Sequence, residues 1–167
     1  PFLEQYVSWL GDFLRGDLGV SYISGEDVFS TFLSKLPATL LLTGASILLT
    51  VVISIPLGIL SAVKQNTFTD RLIRLCSFVG NSLPNFFVAL LLMYLLAILN
   101  PIFPISGATT AGAAGGFTLA HLQDLAVHAV LPILSVALSL IGFWALSMRG
   151  IMSTVLGEDY LTYAQAR

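Results

Sequence analysis

Residues 38–63, ATLLLTGASILLTVVISIPLGILSAV, run for 26 residues without a charged side chain. As an α-helix this stretch would be about 39 Å long at 1.5 Å rise per residue, and the hydrocarbon core of a bilayer is about 30 Å thick. A buried helix of a soluble protein rarely stays apolar on every face over such a length. The stretch therefore predicts a helix that crosses a membrane with some tilt.

Two further stretches have the same character. Residues 75–99 are 25 residues without a charge, and residues 125–148 are 24 residues whose only titratable group is His128. Each of the three stretches contains a proline, which lipid-embedded helices tolerate, commonly with a kink. The composition, 56% hydrophobic and 10% charged, is that of a membrane protein. We therefore predict an all-α membrane protein with three transmembrane helices over these residues.

The basic residues predict the orientation. Segment 64–74 holds three basic residues, 100–124 holds none, and 149–167 holds two arginines, whereas 1–36 holds two basic residues against five acids. Basic residues favour cytoplasmic loops. Residues 64–74 and 149–167 are therefore predicted in the cytoplasm, with 1–36 and the glycine-rich loop 100–124 outside.

The external segment 1–36 is predicted to be helical at both ends. Residues 1–15 carry an aromatic stripe and fit either an interfacial helix or a surface helix packed on the spans. Residues 16–25 are a glycine-rich loop. Ser24 and Asp27 resemble a capping box that opens a short helix over 26–36. Pro37 would then occupy the first turn of the first span.

Small polar side chains recur within the spans. Two explanations are open: close helix packing through small residues, or a translocation pathway lined by neutral groups. Packing is favoured for serine and threonine, and a pathway or gate for Asn81 and Asn85, because a bare amide is costly in lipid. The candidate pathway residues are Thr43, Ser46, Thr50, Asn81, Ser82, Asn85, Ser135 and Ser139.

Catalytic and cofactor motifs are not found in the sequence. No GxxxxGK phosphate loop occurs, since neither Lys35 nor Lys64 follows a glycine, so ATP binding by that device is excluded. No Cys/His cluster suggests a metal site, and no cofactor is expected. Ser106 has no paired base, which argues against an intramembrane hydrolase. His128 is interpreted as a helix-end histidine bonded to a neighbour rather than a ligand.

Six motifs in order carry a family resemblance. They are GDLGVSY (16–22), LPATLLLT (36–43), IPLGILSA (55–62), SLPNFF (82–87), HAVLPILSVAL (128–138) and MRGIMSTVLGEDYLTYAQAR (148–167). Together they resemble the permease subunits of dipeptide, oligopeptide and nickel ABC importers. The resemblance implies a type I importer fold with about six spans in the full subunit. Residues 37–167 resemble part of its transmembrane domain, after the family's first span.

The resemblance also implies a coupling loop at 157–167, often called the EAA loop. Thr162, Tyr163 and Ala164 occupy its E-A-A positions, and the threonine departs from the family's glutamate. Gly157 is expected to end the preceding helix, and acidic residues after it favour a new helix N-terminus. The residues expected to contact an ATPase are Glu158, Asp159, Tyr160, Thr162, Tyr163 and Ala164.

The resemblance implies a permease of the cell membrane that forms a pathway for peptides or nickel. Its expected partners are a homologous second permease, two cytoplasmic ATPases that bind and hydrolyse ATP, and an extracytoplasmic solute-binding protein. The net charge of −2 gives no reason to expect nucleic-acid binding. The alternative is half of an ion-coupled secondary transporter, which usually carries an ionisable group near the bilayer midplane.

Overall fold

The computed structural model describes residues 1–110 and 118–158. Its elements are helices α1 (Phe2–Leu14), α2 (Val28–Val63), α3 (Phe68–Ser82) and α4 (Asn85–Met93), a π-helical segment (Tyr94–Leu99), and α5 (Leu119–Leu156). Over the described ranges, the β-structure is one isolated bridge between Val20 and Asp27. The predicted all-α fold is confirmed.

Among residues 1–110 and 118–158, two helices are long and apolar enough to cross a membrane: α2 with 36 residues and α5 with 38. The first contains the predicted span 38–63 and ends at its last residue, Val63. The second contains the predicted span 125–148 and ends just before Gly157, as expected. A third crossing exists if α3 and the helical segment Asn85–Leu99 count as one bent span.

The predicted second span is not one helix with a kink. The segments on either side of Pro84 are bent by 95°. Proline has no N–H to donate and disfavours helical backbone in the residue before it, and Leu83 is extended, with ψ 126°. The predicted span over 75–99 is therefore broken at Pro84 rather than kinked, and residues 82–85 form what we call the elbow.

The turn between α2 and α3 is shorter than the predicted loop 64–74. The Thr67 side chain caps α3 by accepting a hydrogen bond from the Asp70 N–H, and helix begins at Phe68. Asn66 adopts the left-handed conformation, with φ 64°, which asparagine tolerates better than most residues. Four residues therefore reverse the chain, and two of the three basic residues expected in a loop, Arg71 and Arg74, fall on α3 while Lys64 stays in the turn.

The chain divides into two compact units, Pro1–Leu41 and Leu42–Arg167. In the first, α1 confirms the predicted amphipathic helix, with the Trp9 and Phe13 rings stacked 5.4 Å apart. Asp27 rather than Ser24 caps α2, accepting a 2.7 Å bond from the Ser30 N–H. Pro37 lies within α2, so the predicted separate helix over 26–36 is wrong. A proline removes one bond of the ladder and can leave the helix continuous.

In the second unit the buried residues are small. Large apolar side chains such as Leu48, Phe86 and Trp144 are exposed instead. In a soluble protein the large apolar side chains would be buried. The reverse arrangement is expected where lipid surrounds the protein and helices meet through small residues. The buried residues of α2 are Ser46, Thr50, Ser54, Gly58, Ser61 and Ala62, and those of α5 are Ala129, Ser135, Ala137, Gly142 and Ala145.

Two glycines bring α5 close to its neighbours. A Cβ on Gly58 of α2 would lie 2.6 Å from the Met148 Cβ, and a Cβ on Gly142 would overlap the backbone of Ser77 on α3. Arg149 bonds to Asp70, seven residues from each member of the Gly142–Ser77 contact. Because seven residues make about two helical turns, α3 and α5 run antiparallel in one register.

Candidate functional site

A fully buried carboxylate joins three helices at one end of the unit. Asp70 is 0% exposed. Its Oδ1 accepts hydrogen bonds from the Ser61 hydroxyl at 2.6 Å and from Arg149 Nε at 2.8 Å. Its Oδ2 accepts the Asn66 N–H at 3.0 Å and Arg149 Nη2 at 3.3 Å. With Arg74, whose Nε lies 3.3 Å from Oδ1, these residues form the Asp70 cluster.

The Asp70 cluster meets the conditions for burying a charge. A buried carboxylate is costly unless it is paired and its lone pairs are hydrogen-bonded. Two oxygens offer about four acceptor sites, and four donor hydrogens approach them here. The guanidinium of Arg149 binds through two nitrogens, the stronger and more directional arrangement. The cluster therefore fixes the ends of α2, α3 and α5 to one another.

Sequence reasoning missed this cluster. Asp70, Arg74 and Arg149 lie outside the charge-free stretches, and the two arginines served only to indicate orientation. One local signal existed, because Asp70 and Arg74 are spaced four apart on a helix, where opposite charges interact. The partner that completes the site, Arg149, is 79 residues away, and a single sequence does not reveal such a pairing.

A second polar group lies at the elbow. The Ser139 hydroxyl is 3.3 Å from Asn85 Oδ1 and 2.9 Å from the Ser135 carbonyl oxygen, so its single hydrogen is shared between two acceptors. Asn85 opens α4 and is exposed, while Ser139 is half-buried on α5. This contact joins two of the predicted pathway residues from sequence positions 54 apart.

The other predicted pathway residues are more scattered. Asn81 and Ser82 are exposed near the end of α3, on the far side of the break from Asn85, so the two asparagines lie on different helices. Thr43 is exposed on α2. The remaining hydroxyls bond to carbonyl oxygens of their own helix: Ser46 to Leu42, Thr50 to Ser46, Ser82 to Phe78 and Ser135 to Pro132.

An apolar cleft of about 490 Å³ opens beside the elbow, among residues of α2, α3, α4 and α5. Leu83, Val88 and Leu138 line it, together with the sulfur-bearing Cys76. Its walls offer few hydrogen-bonding groups, and the Ser77 hydroxyl is the main polar side chain among the lining residues. The arrangement suits passage or packing of neutral groups rather than covalent chemistry.

The opposite end of α5 carries a third polar group. The Asp124 carboxylate accepts bonds from the Thr110 N–H and hydroxyl, both at 2.6 Å. His128 Nδ1 donates to the Asp124 carbonyl oxygen at 2.8 Å, so the histidine bonds to a neighbour as predicted, but it lies nine residues inside α5 rather than at a helix end. The described part of the chain contains no group of three or more His, Cys, Asp or Glu side chains placed to hold a metal.

The predicted coupling segment is largely outside the described residues. Gly157 ends α5, and the exposed Glu158 follows it. The other predicted contacts, Asp159, Tyr160, Thr162, Tyr163 and Ala164, lie beyond residue 158. Their roles stay predictions from the sequence.

Comparison with known proteins identifies the family. Residues 54–167 match the model of the binding-protein-dependent transport system inner membrane component. The chain is 34% identical to the oligopeptide transport system permease protein AppB of Bacillus subtilis over 100% of its own length and 52% of the relative's. It is 31% identical to the metal-staphylopine import system permease protein CntB of Staphylococcus aureus, over 99% and 49%. The chain thus spans about half the length of these relatives, and it belongs to the family of binding-protein-dependent transport system inner membrane components.

Proposed function

We propose that this chain is part of the permease of an ATP-driven importer and helps to form a pathway for peptides. The observation that carries the proposal is the match of the whole chain to AppB, which is named for oligopeptide transport. CntB, named for metal-staphylopine import, is similar over nearly the same residues. A metal carried in a small organic complex is therefore the second candidate cargo.

The pathway is proposed to run past the elbow. Asn81, Ser82 and Asn85 present neutral groups there, with Ser135 and Ser139 on the neighbouring helix. The exposed state of both asparagines supports this assignment, because an amide without a partner is costly in lipid. Thr43, Ser46 and Thr50 are proposed as the contribution of α2, although the Ser46 and Thr50 hydroxyls already bond within their helix.

The proposed orientation puts the turn between α2 and α3, and the end of α5, in the cytoplasm of a cell-membrane protein. The three basic residues of segment 64–74 support it. A cysteine substituted for Gln65, in a variant lacking Cys76, should resist a membrane-impermeant thiol reagent applied to whole cells. A cysteine at Ile105 should react in the same assay, and labelling of residue 65 from outside would overturn the orientation.

The proposed partners are a second permease, two ATPases and a solute-binding protein. Residues 158–164 are proposed to seat in an ATPase, because they follow the end of α5 and resemble the family's coupling loop. Ala164→Trp in the full-length protein should then reduce ATPase docking or uptake, while insertion stays normal. If this variant transports normally and a cysteine at residue 164 forms no crosslink to the ATPase, the segment is a solvated linker and not an ATPase contact.

The deciding experiment reconstitutes the full-length permease with its partners in proteoliposomes and measures peptide uptake. ATP hydrolysis and the binding protein should both be required, and a protonophore or sodium ionophore should have no effect. Uptake that needs an ion gradient and no ATP would establish the alternative, a secondary transporter. Residues 75–99 and 125–148 contain no Asp, Glu, Lys or Arg. This favours an ATP-driven importer over a secondary transporter.

A further inference from the structure

The Asp70 cluster has no part in the pathway or in the coupling segment proposed above. It is nevertheless the most elaborate polar arrangement among the described residues, and its central carboxylate is fully buried. We propose that Asp70 is a positioning residue: it holds Arg149 and so sets the direction in which α5 leaves the helix bundle towards the ATPase. This role rests on the proposed function, because the direction matters only if a partner engages the segment after Gly157.

The first argument is where the bonds originate. Donors come from the last turn of α2 through Ser61, from the turn through the Asn66 N–H, and from α5 through Arg149. Asp70 itself lies in the first turn of α3 and bonds back to its cap, Thr67. One carboxylate therefore ties three helices and their connecting turn at the same level.

The second argument is the kind of bond. Apolar burial is not directional, so an apolar pair could hold α3 and α5 together while leaving their rotation and tilt loosely specified. A carboxylate held by two guanidinium nitrogens accepts only one relative orientation. The Gly142–Ser77 and Gly58–Met148 approaches already supply close packing. The ionic bonds add a fixed orientation of α5 relative to α3.

The third argument is the distance to the coupling segment. Arg149 lies eight residues before Gly157, about 12 Å along the helix, and α5 is unbroken from Arg149 to Leu156. A helix without a break transmits the orientation of one turn to the next. The position of Arg149 therefore sets where Glu158 emerges.

The test compares four variants of the full-length permease with its partners: Asp70→Leu, Arg149→Leu, the double variant, and Arg71→Leu as a control. Arg71 is an exposed arginine of the same helical turn. Each single variant should lower the yield of assembled complex about tenfold or more, because one buried charge loses its counter-charge. The double variant should recover most of that yield, since replacing the buried partners together is often tolerated and the remaining cation, Arg74, has a side chain that is 38% exposed and can turn to solvent.

The distinguishing readout is substrate transported per ATP hydrolysed. A merely structural role would return this ratio to the wild-type value once the double variant assembles. A positioning role predicts that the ratio stays at least about threefold lower in the double variant, because leucines cannot specify orientation, while Arg71→Leu keeps the wild-type ratio. A normal ratio in an assembled double variant would overturn the proposal.

A second measurement needs no transport. Spin labels at Phe68 and Leu156, both exposed, report the distance between the start of α3 and the end of α5 in the full-length permease in nanodiscs. The distribution should broaden in the double variant and stay narrow in Arg71→Leu. An unchanged distribution would contradict positioning by Asp70. If the wild-type complex did not couple ATP hydrolysis to uptake, the proposed function would be wrong. The distance measurement would still test whether Asp70 positions α5.

Discussion

The two ends of the contact between α3 and α5 are built in opposite ways. At one end, Asp70 and Arg149 form a buried ionic pair in which each carboxylate oxygen is bonded. At the other, beyond Ser77 and Gly142, the chain breaks at Pro84 and a single 3.3 Å contact joins Ser139 to an exposed amide. The difference teaches that the same helix pair is fixed at one end and left open, with unused hydrogen-bonding capacity, at the other.

This comparison makes the close contact between the two ends the most sensitive point. Replacing Gly142 by leucine would force side-chain atoms into the Ser77 backbone and separate α3 from α5, at a cost of about 3 kcal/mol or more. We expect loss of most folded protein in a thermal or denaturant assay of the purified membrane protein. Gly150→Ala is the matched control, since a Cβ at residue 150 meets nothing within 4 Å. Equal tolerance of both substitutions would disprove the close approach.

A change at the open end should affect transport and spare folding. Asn85→Leu removes the acceptor of the Ser139 hydroxyl and one exposed amide, and we expect uptake to fall about tenfold, the equivalent of one hydrogen bond of about 1.4 kcal/mol. The melting temperature should stay near the wild-type value because Asn85 is exposed. Asn85→Gln, which keeps an amide, should retain most uptake. Wild-type uptake by both Asn85→Leu and Asn81→Leu would remove these residues from the pathway.

The smallest effect is expected away from both ends of this contact, where Thr110 bonds to Asp124 near the start of α5. Thr110→Val deletes the hydroxyl bond and leaves the backbone bond to the same carboxylate. Because the contact is exposed, the melting temperature should fall by only about 2 °C. Thr109→Val serves as the control. A drop as large as that of Gly142→Leu would mean that the Asp124 end is as firmly fixed as the Asp70 end.

Much of the helical fold could be predicted because its causes are local. The charge-free run that ends at Val63, the amphipathic pattern of α1 and the break at Gly157 are all visible over a few residues. The elbow could not be predicted in the same way. A proline in a membrane helix can bend or break it, and the residues around Pro84 do not decide between the two outcomes; the break is seen in the extended backbone of Leu83.

The residues of the candidate site likewise divide into those that could be predicted from the sequence and those that could not. Asn85 and Ser139 could be identified because an amide or hydroxyl in an apolar run stands out in the sequence. Asp70 could not, because a charge next to other charges looks like an ordinary solvated flank. Its burial depends on Arg149, which reaches it from another helix, and on a turn short enough to bring the Asn66 N–H to the same carboxylate.

The register between α3 and α5 has a mechanical consequence. Gly142, Arg149 and Leu156 are spaced evenly, about 10 Å apart along the helix, so Leu156 lies as far beyond the Asp70–Arg149 bonds as Gly142 lies before them. A force that swings Leu156 away from the side of α3 must press Gly142 onto the Ser77 backbone, where no space remains. A force in the opposite direction lifts Gly142 off Ser77 and is opposed by the Asp70–Arg149 bonds instead. The end of α5 is therefore stopped by packing in one direction and by ionic bonds in the other.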